Sequence, residues 1–150
     1  GVIDNESSIL PGLDGRKMSK SYGNIIPLFC DSKSLRKHVM KIKTNSLEPG
    51  EPKSTEDCLL FDIYKSFASE SEINSMKKDL EDGMSWGDAK NELYELLDGQ
   101  LSNHRLKYDE LIGDPAYLDK VLQQGAERAR EVAKSNLHEI KSAIGLGSLS

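Results

Sequence analysis

At 150 residues the chain suffices for one domain, or one domain with a piece of another, and can bury a real core. Its charged fraction of 30% and aromatic fraction of 6% read as an ordinary soluble, helix-leaning protein rather than a disordered one. The net charge of −5 is uneven: between Arg16 and Lys43 eight bases stand against one acid, Asp31, so an anion could be held there inside an otherwise acidic chain.

In chain order, the opening "GVIDNESSIL" lacks the basic start and apolar core of a signal peptide, and it lacks an initiator methionine, which fits a fragment. No run of about 18 apolar residues follows anywhere, so no membrane span is predicted. Residues 1–30 show no helical period. The runs "SIL" and "IIPLF" read as two buried segments bracketing an exposed loop, "PGLDGRKMSKSYGN", from Pro11 to Asn24.

From Asp31 the pattern turns helical. Leu35, Val39 and Ile42 recur at helical spacing, Asp31 or Ser32 is placed to cap, and Arg36, Lys37, Lys41 and Lys43 lie on the other face. "NSLEPGEPKSTED" reads as a linker. Leu59, Leu60, Ile63, Tyr64 and Phe67 then predict a strongly buried helix. Ser69 with Glu72 forms a capping box for the next helix, which ends at Gly83.

A longer helix starts at Ser85, with Ala89, Leu93, Leu96, Leu97, Leu101, Tyr108 and Leu111 as its stripe and Gly99 inside it. The last helix has Asp114 as cap and Pro115 at its first position, where the missing N–H costs nothing. Its face runs through Leu118, Val121, Leu122, Ala126, Ala129, Ala133, Leu137, Ile140 and Ile144, narrow at its centre, and Gly145 ends it. The predicted class is mainly α: a helical bundle over 31–150 preceded by an irregular loop segment.

Cys30 and Cys58 form no CxxC pair, and with scattered His38, His104 and His138 they suggest neither a disulfide, nor a metal site, nor a catalytic histidine. The chemistry gathers in the loop instead. Gly12, Gly15 and Gly23 supply backbone freedom, Lys17 and Lys20 supply ammonium groups, and Ser19 and Ser21 supply hydroxyls. Such a loop can grip a polyphosphate and stabilise charge gathering on a departing pyrophosphate. It is not a Walker A loop, since Gly15 follows Gly12 too closely and Lys17 precedes Met18 rather than Ser or Thr. A basophilic phosphorylation site at "RKMS" and a plain solvent loop are the competing readings.

"KMSKS", Lys17 to Ser21, matches the second signature motif of class I aminoacyl-tRNA synthetases. The wider "PGLDGRKMSKSYGN…IPLF" resembles the bacterial tryptophanyl-tRNA synthetase family, as do "EPKSTEDCLLFDIYKSFA" and the terminal "LDKVLQQGAERAREVAKSNLHEIKSAIGL". The resemblance covers essentially all 150 residues. It implies a parent enzyme that activates L-tryptophan with ATP and Mg²⁺ to tryptophanyl-adenylate, then passes the amino acid to tRNA(Trp). Lys17, Met18, Ser19, Lys20 and Ser21 would contact ATP, with Lys20 as first catalytic choice and Lys17 assisting. Residues 1–30 would be the C-terminal edge of a Rossmann-like catalytic domain and residues 31–150 a helical anticodon-binding domain. Candidates for tRNA contact are Arg36, Lys37, Lys41, Arg105, Arg128 and Arg130, with Lys43, Lys107 and Lys134 beside them. Trp86 and Tyr94 could stack on a base or simply pack.

The family is homodimeric and cytoplasmic, so the same is expected of the parent. No HIGH-type tetrapeptide and no βαβ alternation occur here, and the tryptophan pocket would lie outside this chain. The chain alone is therefore expected to be inactive. Two alternatives stand beside this reading: a free-standing helical RNA-binding or protein-interaction module, and a tyrosyl-tRNA synthetase relative.

Overall fold

The apolar periods in the middle of the chain become helices that close on one core. The computed structural model describes residues 10–146, with helices α1 (Ser32–Met40), α2 (Leu59–Lys65), α3 (Glu70–Glu81), α4 (Trp86–Ile112) and α5 (Pro115–Ala143) and one 3₁₀ turn at Lys20–Tyr22. Among the described residues there is no β-strand; the one sheet-like pairing is an isolated antiparallel bridge between Pro11 and Lys17. The protein is mainly α, as predicted. It divides into two units, one ending at Arg105 and one beginning at Leu106.

In the first unit, Asp31 rather than Ser32 caps α1, its carboxylate accepting from the Ser34 amide at 2.9 Å and from the Ser34 hydroxyl at 2.6 Å. Those bonds, the hydroxyl's first, hold the Asp31 carboxyl below its ordinary range. Leu35, Val39 and Ile42 are buried and meet Leu60 and Ile63 of α2, Met76 and Leu80 of α3, and Ala89, Leu93 and Leu97 of α4 in one cluster. Each fully buried leucine or isoleucine there contributes about 1.5–3 kcal/mol. The predicted capping box is present at α3, where the Glu72 carboxylate accepts from the Ser69 amide at 2.7 Å.

Two expectations change. Of "IIPLF", only Ile26 packs on the core, while Leu28 and Phe29 are exposed, because these two lie in a turn before Asp31. The run "SIL" falls mostly in residues 1–9, outside the described residues. The presumed linker before α2 is not loose. The Gly50 amide donates to the Gly83 carbonyl at 2.8 Å and the Lys53 amide to the Leu80 carbonyl at 2.9 Å, stitching this stretch to the end of α3. A side chain at Gly83, whose φ is +96°, would run into the backbone of Gly50 at 2.7 Å, so the two backbones touch because position 83 has no Cβ.

Gly99 of α4, by contrast, faces open space. Gly99→Ala should therefore stabilise the first unit by about 0.5–1 kcal/mol, because nothing offsets the gain in helix propensity. A higher urea midpoint with an unchanged slope is the expected signature.

In the second unit, the Asp114 carboxylate caps α5 by accepting from the Tyr117 amide at 3.0 Å, with Pro115 in the first turn as predicted. Gly145 (φ +76°) ends it, and the Leu146 amide closes back on the Lys141 carbonyl at 2.7 Å. No residue of α5 is buried. Its predicted stripe is present in sequence order, yet Leu122, Leu137 and Ile140 remain more than half exposed in this chain.

Candidate functional site

The lysine loop grows from a buried base to an exposed tip. Its base is held by three backbone bonds: Leu13 amide to Asn24 carbonyl at 2.9 Å, Gly12 amide to Arg16 carbonyl at 2.7 Å, and Lys43 amide to Leu13 carbonyl at 3.1 Å. The last ties the loop to the segment that follows α1. Leu13 and Asn24 are buried, with Leu13 in the hydrophobic cluster, so the loop is rooted in the helical core rather than laid over it. A turn closed by the Gly15 amide on the Gly12 carbonyl at 2.9 Å uses Gly15 at φ +85°. Gly23 at φ +63° ends the 3₁₀ turn at the other side. Both are left-handed positions that favour glycine, as the composition suggested.

Asn24 organises the interior of the loop. Its amide nitrogen donates to Asp14 Oδ1 at 2.7 Å and to the Lys17 carbonyl at 3.1 Å, and its oxygen accepts from the Ser19 amide at 2.8 Å. Asp14 also accepts from Arg16, through Nε at 2.7 Å and the backbone amide at 3.1 Å. The Asn24 bond first, and those from Arg16 after it, lower the Asp14 pKa to about 2. The ionised carboxylate thus fastens the loop above the ordinary carboxylate range, and that contribution fades as pH falls toward 2. Arg16 is further held over the Tyr22 ring, 4.4 Å from its centroid.

The five motif residues stay together at the tip. Lys17, Lys20 and Ser21 are exposed, while Met18 and Ser19 are half-buried. The Ser19 and Ser21 hydroxyls share a hydrogen bond at 2.7 Å. Arg16, the third cation, is spent on Asp14, whereas among the described residues neither lysine ammonium has a hydrogen-bond or ion-pair partner. Two uncommitted cations on a fixed stalk can meet an anionic ligand without first breaking an internal pair. A cleft of about 330 Å³ opens beside the base, walled by Asp14, Gly15, Lys43, Asn45, Cys58 and Trp86. Burial pushes the Cys58 thiol up, so it is no thiolate nucleophile there.

The basic candidates outside the loop are scattered. Lys37 on α1 and Lys41 just after it are exposed, but Arg36 donates to Asn91 Oδ1 at 3.0 Å and lies 5.7 Å from the Tyr94 ring centroid. Arg105 is largely buried in an ion pair with Asp98. Arg128 and Arg130 are exposed on α5, in the second unit. Trp86 and Tyr94 are engaged in packing: the indole N–H donates to Asn45 at 2.8 Å, and the Tyr94 hydroxyl bonds that of Ser32 at 2.7 Å.

Sequence reasoning passed over Asn24, Asp14 and Lys53. Asn24 carried one signal, an asparagine after a turn glycine and just before an apolar run, where a side-chain amide can replace backbone partners. Lys53 carried none.

Comparison with known proteins fits this geometry. Residues 2–102 match the family model described as tRNA synthetases class I (W and Y). The tryptophan–tRNA ligase of Neisseria meningitidis is 46% identical over 147 residues, covering 98% of this chain and 44% of that protein. The ligase of Bordetella parapertussis is also 46% identical, over 149 residues, covering 99% of this chain and 33% of its own length. The crystal structure of tryptophanyl-tRNA synthetase from Campylobacter jejuni, complexed with ADP and tryptophan, superposes with a TM-score of 0.88 at 36% identity. It covers 96% of this chain and 46% of that one. The chain thus spans between a third and a half of the relatives it matches.

Proposed function

Because this chain belongs to the class I tRNA synthetases of the W and Y group, we propose that it carries the ATP-contacting loop and the helical region of a tryptophan–tRNA ligase. The observation that carries this reading is the pair of uncommitted ammonium groups, Lys17 and Lys20, on a tip whose base is anchored in the core. In the full-length enzyme a tryptophan carboxylate oxygen would attack the α-phosphorus of ATP. The bond to the bridging oxygen would break and pyrophosphate would leave, giving tryptophanyl-adenylate, from which the amino acid passes to tRNA(Trp). Lys20, with Lys17 beside it, would meet the negative charge that builds on the departing pyrophosphate. Ser19, Ser21 and the Met18 backbone would complete the contact. Mg²⁺ would arrive with the nucleotide's phosphates.

Residues 1–30 would be the edge of the catalytic domain and residues 31–150 the helical tRNA-binding part. Lys37, Lys41, Arg128 and Arg130 are the candidates best placed to meet RNA phosphates, since they are exposed. Arg36 and Arg105 would first have to leave Asn91 and Asp98. The parent is proposed to be a cytoplasmic homodimer; no helix among the described residues is long and apolar enough to cross a membrane.

ATP–pyrophosphate exchange in the full-length enzyme tests the reading. Exchange should depend on L-tryptophan and not on L-tyrosine, and residues 1–150 alone should give none. Exchange supported by tyrosine would move the assignment to the tyrosyl relative. Turnover by the 150-residue chain would remove the need for a separate catalytic domain.

A further inference from the structure

We propose that Asn24 is the positioning residue of the lysine loop, the group that sets the placement of Lys17 and Lys20 before any ligand arrives. The inference rests on the reading of this loop as the phosphate contact. Asn24 is 3% exposed, although it sits ten residues from Asp14 along a loop with an exposed tip. Its one amide reaches three points, Asp14, Lys17 and Ser19, at 2.7, 3.1 and 2.8 Å.

The chemistry of the partners requires an amide. The Ser19 N–H can only donate, and the Lys17 carbonyl and the ionised Asp14 can only accept, so the orientation of the Asn24 group is determined. A carboxylate of the same shape would satisfy Ser19 and repel the other two. The two held backbone points are Lys17 itself and the residue just before Lys20, so the clamp acts directly on the spacing of the two cations. Gly12 is part of the device: a Cβ there would lie 2.4 Å from Asn24 Nδ2 and 2.6 Å from its Cγ. The clamp closes because position 12 carries no side chain. A loop ordered in this way meets the phosphates with less ordering left to do, and its ammonium groups keep their aim as charge moves onto pyrophosphate.

The test uses the full-length enzyme with Asn24→Ala, Asn24→Asp and Gly12→Ala, read by tryptophan-dependent ATP–pyrophosphate exchange, active-site titration and thermal unfolding. Each variant should lower kcat per active site by roughly 10- to 100-fold, since misplacing a charge by about 1 Å costs that order. KM for tryptophan should stay unchanged, and Tm should fall by only a few degrees, since the lost bonds loosen the loop and leave the helical core in place. Asn24→Asp should be as impaired as Asn24→Ala despite its matching shape. Wild-type kcat in Asn24→Asp overturns the proposal. So does a fall in Tm for all three variants with unchanged kcat per active site, which is what a merely structural residue would give. If Asn24→Ala does not fold, the isosteric Asn24→Asp decides. Lys20→Ala run alongside separates the two readings: full activity there overturns the loop's phosphate role, whereas loss there with full activity in the Asn24 variants overturns only the clamp.

Discussion

In the full-length enzyme, Lys20→Ala should slow tryptophanyl-adenylate formation on the order of 10²-fold or more, with tryptophan affinity almost unchanged. The magnitude follows from what the side chain meets. In the free loop its ammonium has no partner among the described residues, so removing it breaks nothing in the fold. Its contribution appears only as charge shifts onto the leaving pyrophosphate, and an interaction made in the transition state alone lowers kcat and kcat/KM together. Single-turnover kinetics at saturating ATP would read the step directly. A variant that lost only ground-state ATP affinity, with a normal rate at saturation, would contradict the role. Lys17→Ala should act in the same sense and less strongly, because Lys17 assists rather than leads.

The largest expected stability effect falls on Lys53. The side chain is 1% exposed, and its ammonium donates to the carbonyls of Glu48 and Glu51, both at 2.9 Å, while lying 5.7 Å from the centroid of the Trp86 ring. The charge is thus met by two carbonyl dipoles and the face of an indole. Lys53→Ala removes the buried stem together with these bonds and should cost about 3 kcal/mol, as expected for a buried long side chain with charged hydrogen bonds. Lys53→Met keeps the stem and should recover about half of that. Trp86, the single tryptophan of the chain, reports on this contact, so urea unfolding followed by its fluorescence measures both variants. Equal stability of Lys53→Met and the parent would show that the charge adds nothing net.

These two lysines mark where the sequence was legible and where it was not. Lys20 announced itself through local composition, since glycines, hydroxyls and cations within a few residues are the parts of an anion-gripping loop. Local codes were equally readable in the helices: the Asp31 and Asp114 caps, the Ser69–Glu72 box and the stops at Gly83 and Gly145 each need only neighbours within a turn or two. The buried stripe of Leu35, Val39 and Ile42 follows from period alone. Lys53 was invisible because its partners come from three places, the carbonyls behind it, the end of α3 and the start of α4. No window of sequence holds them together. The proline- and glycine-rich stretch around it therefore looked like a linker although it is part of the packing.

Asn24 failed differently. Its partners are local, but an asparagine in a polar loop has many possible roles, and only its burial singles out this one. For α5 the period was plain, while what covers a helix face depends on chain elsewhere and is not written in the helix.

The contact between Gly50 and Gly83 works as a spacer of zero thickness. With no side chain at position 83, the two backbones meet directly, and that separation sets how far the 50–53 stretch stands from the α3–α4 corner. Lys53 comes three residues after one glycine and Trp86 three residues after the other, so the same gauge fixes the gap in which ammonium and indole face each other. Any atom added at position 83 would act as a shim, and the misfit would be felt at a pair of side chains that the added atom never touches.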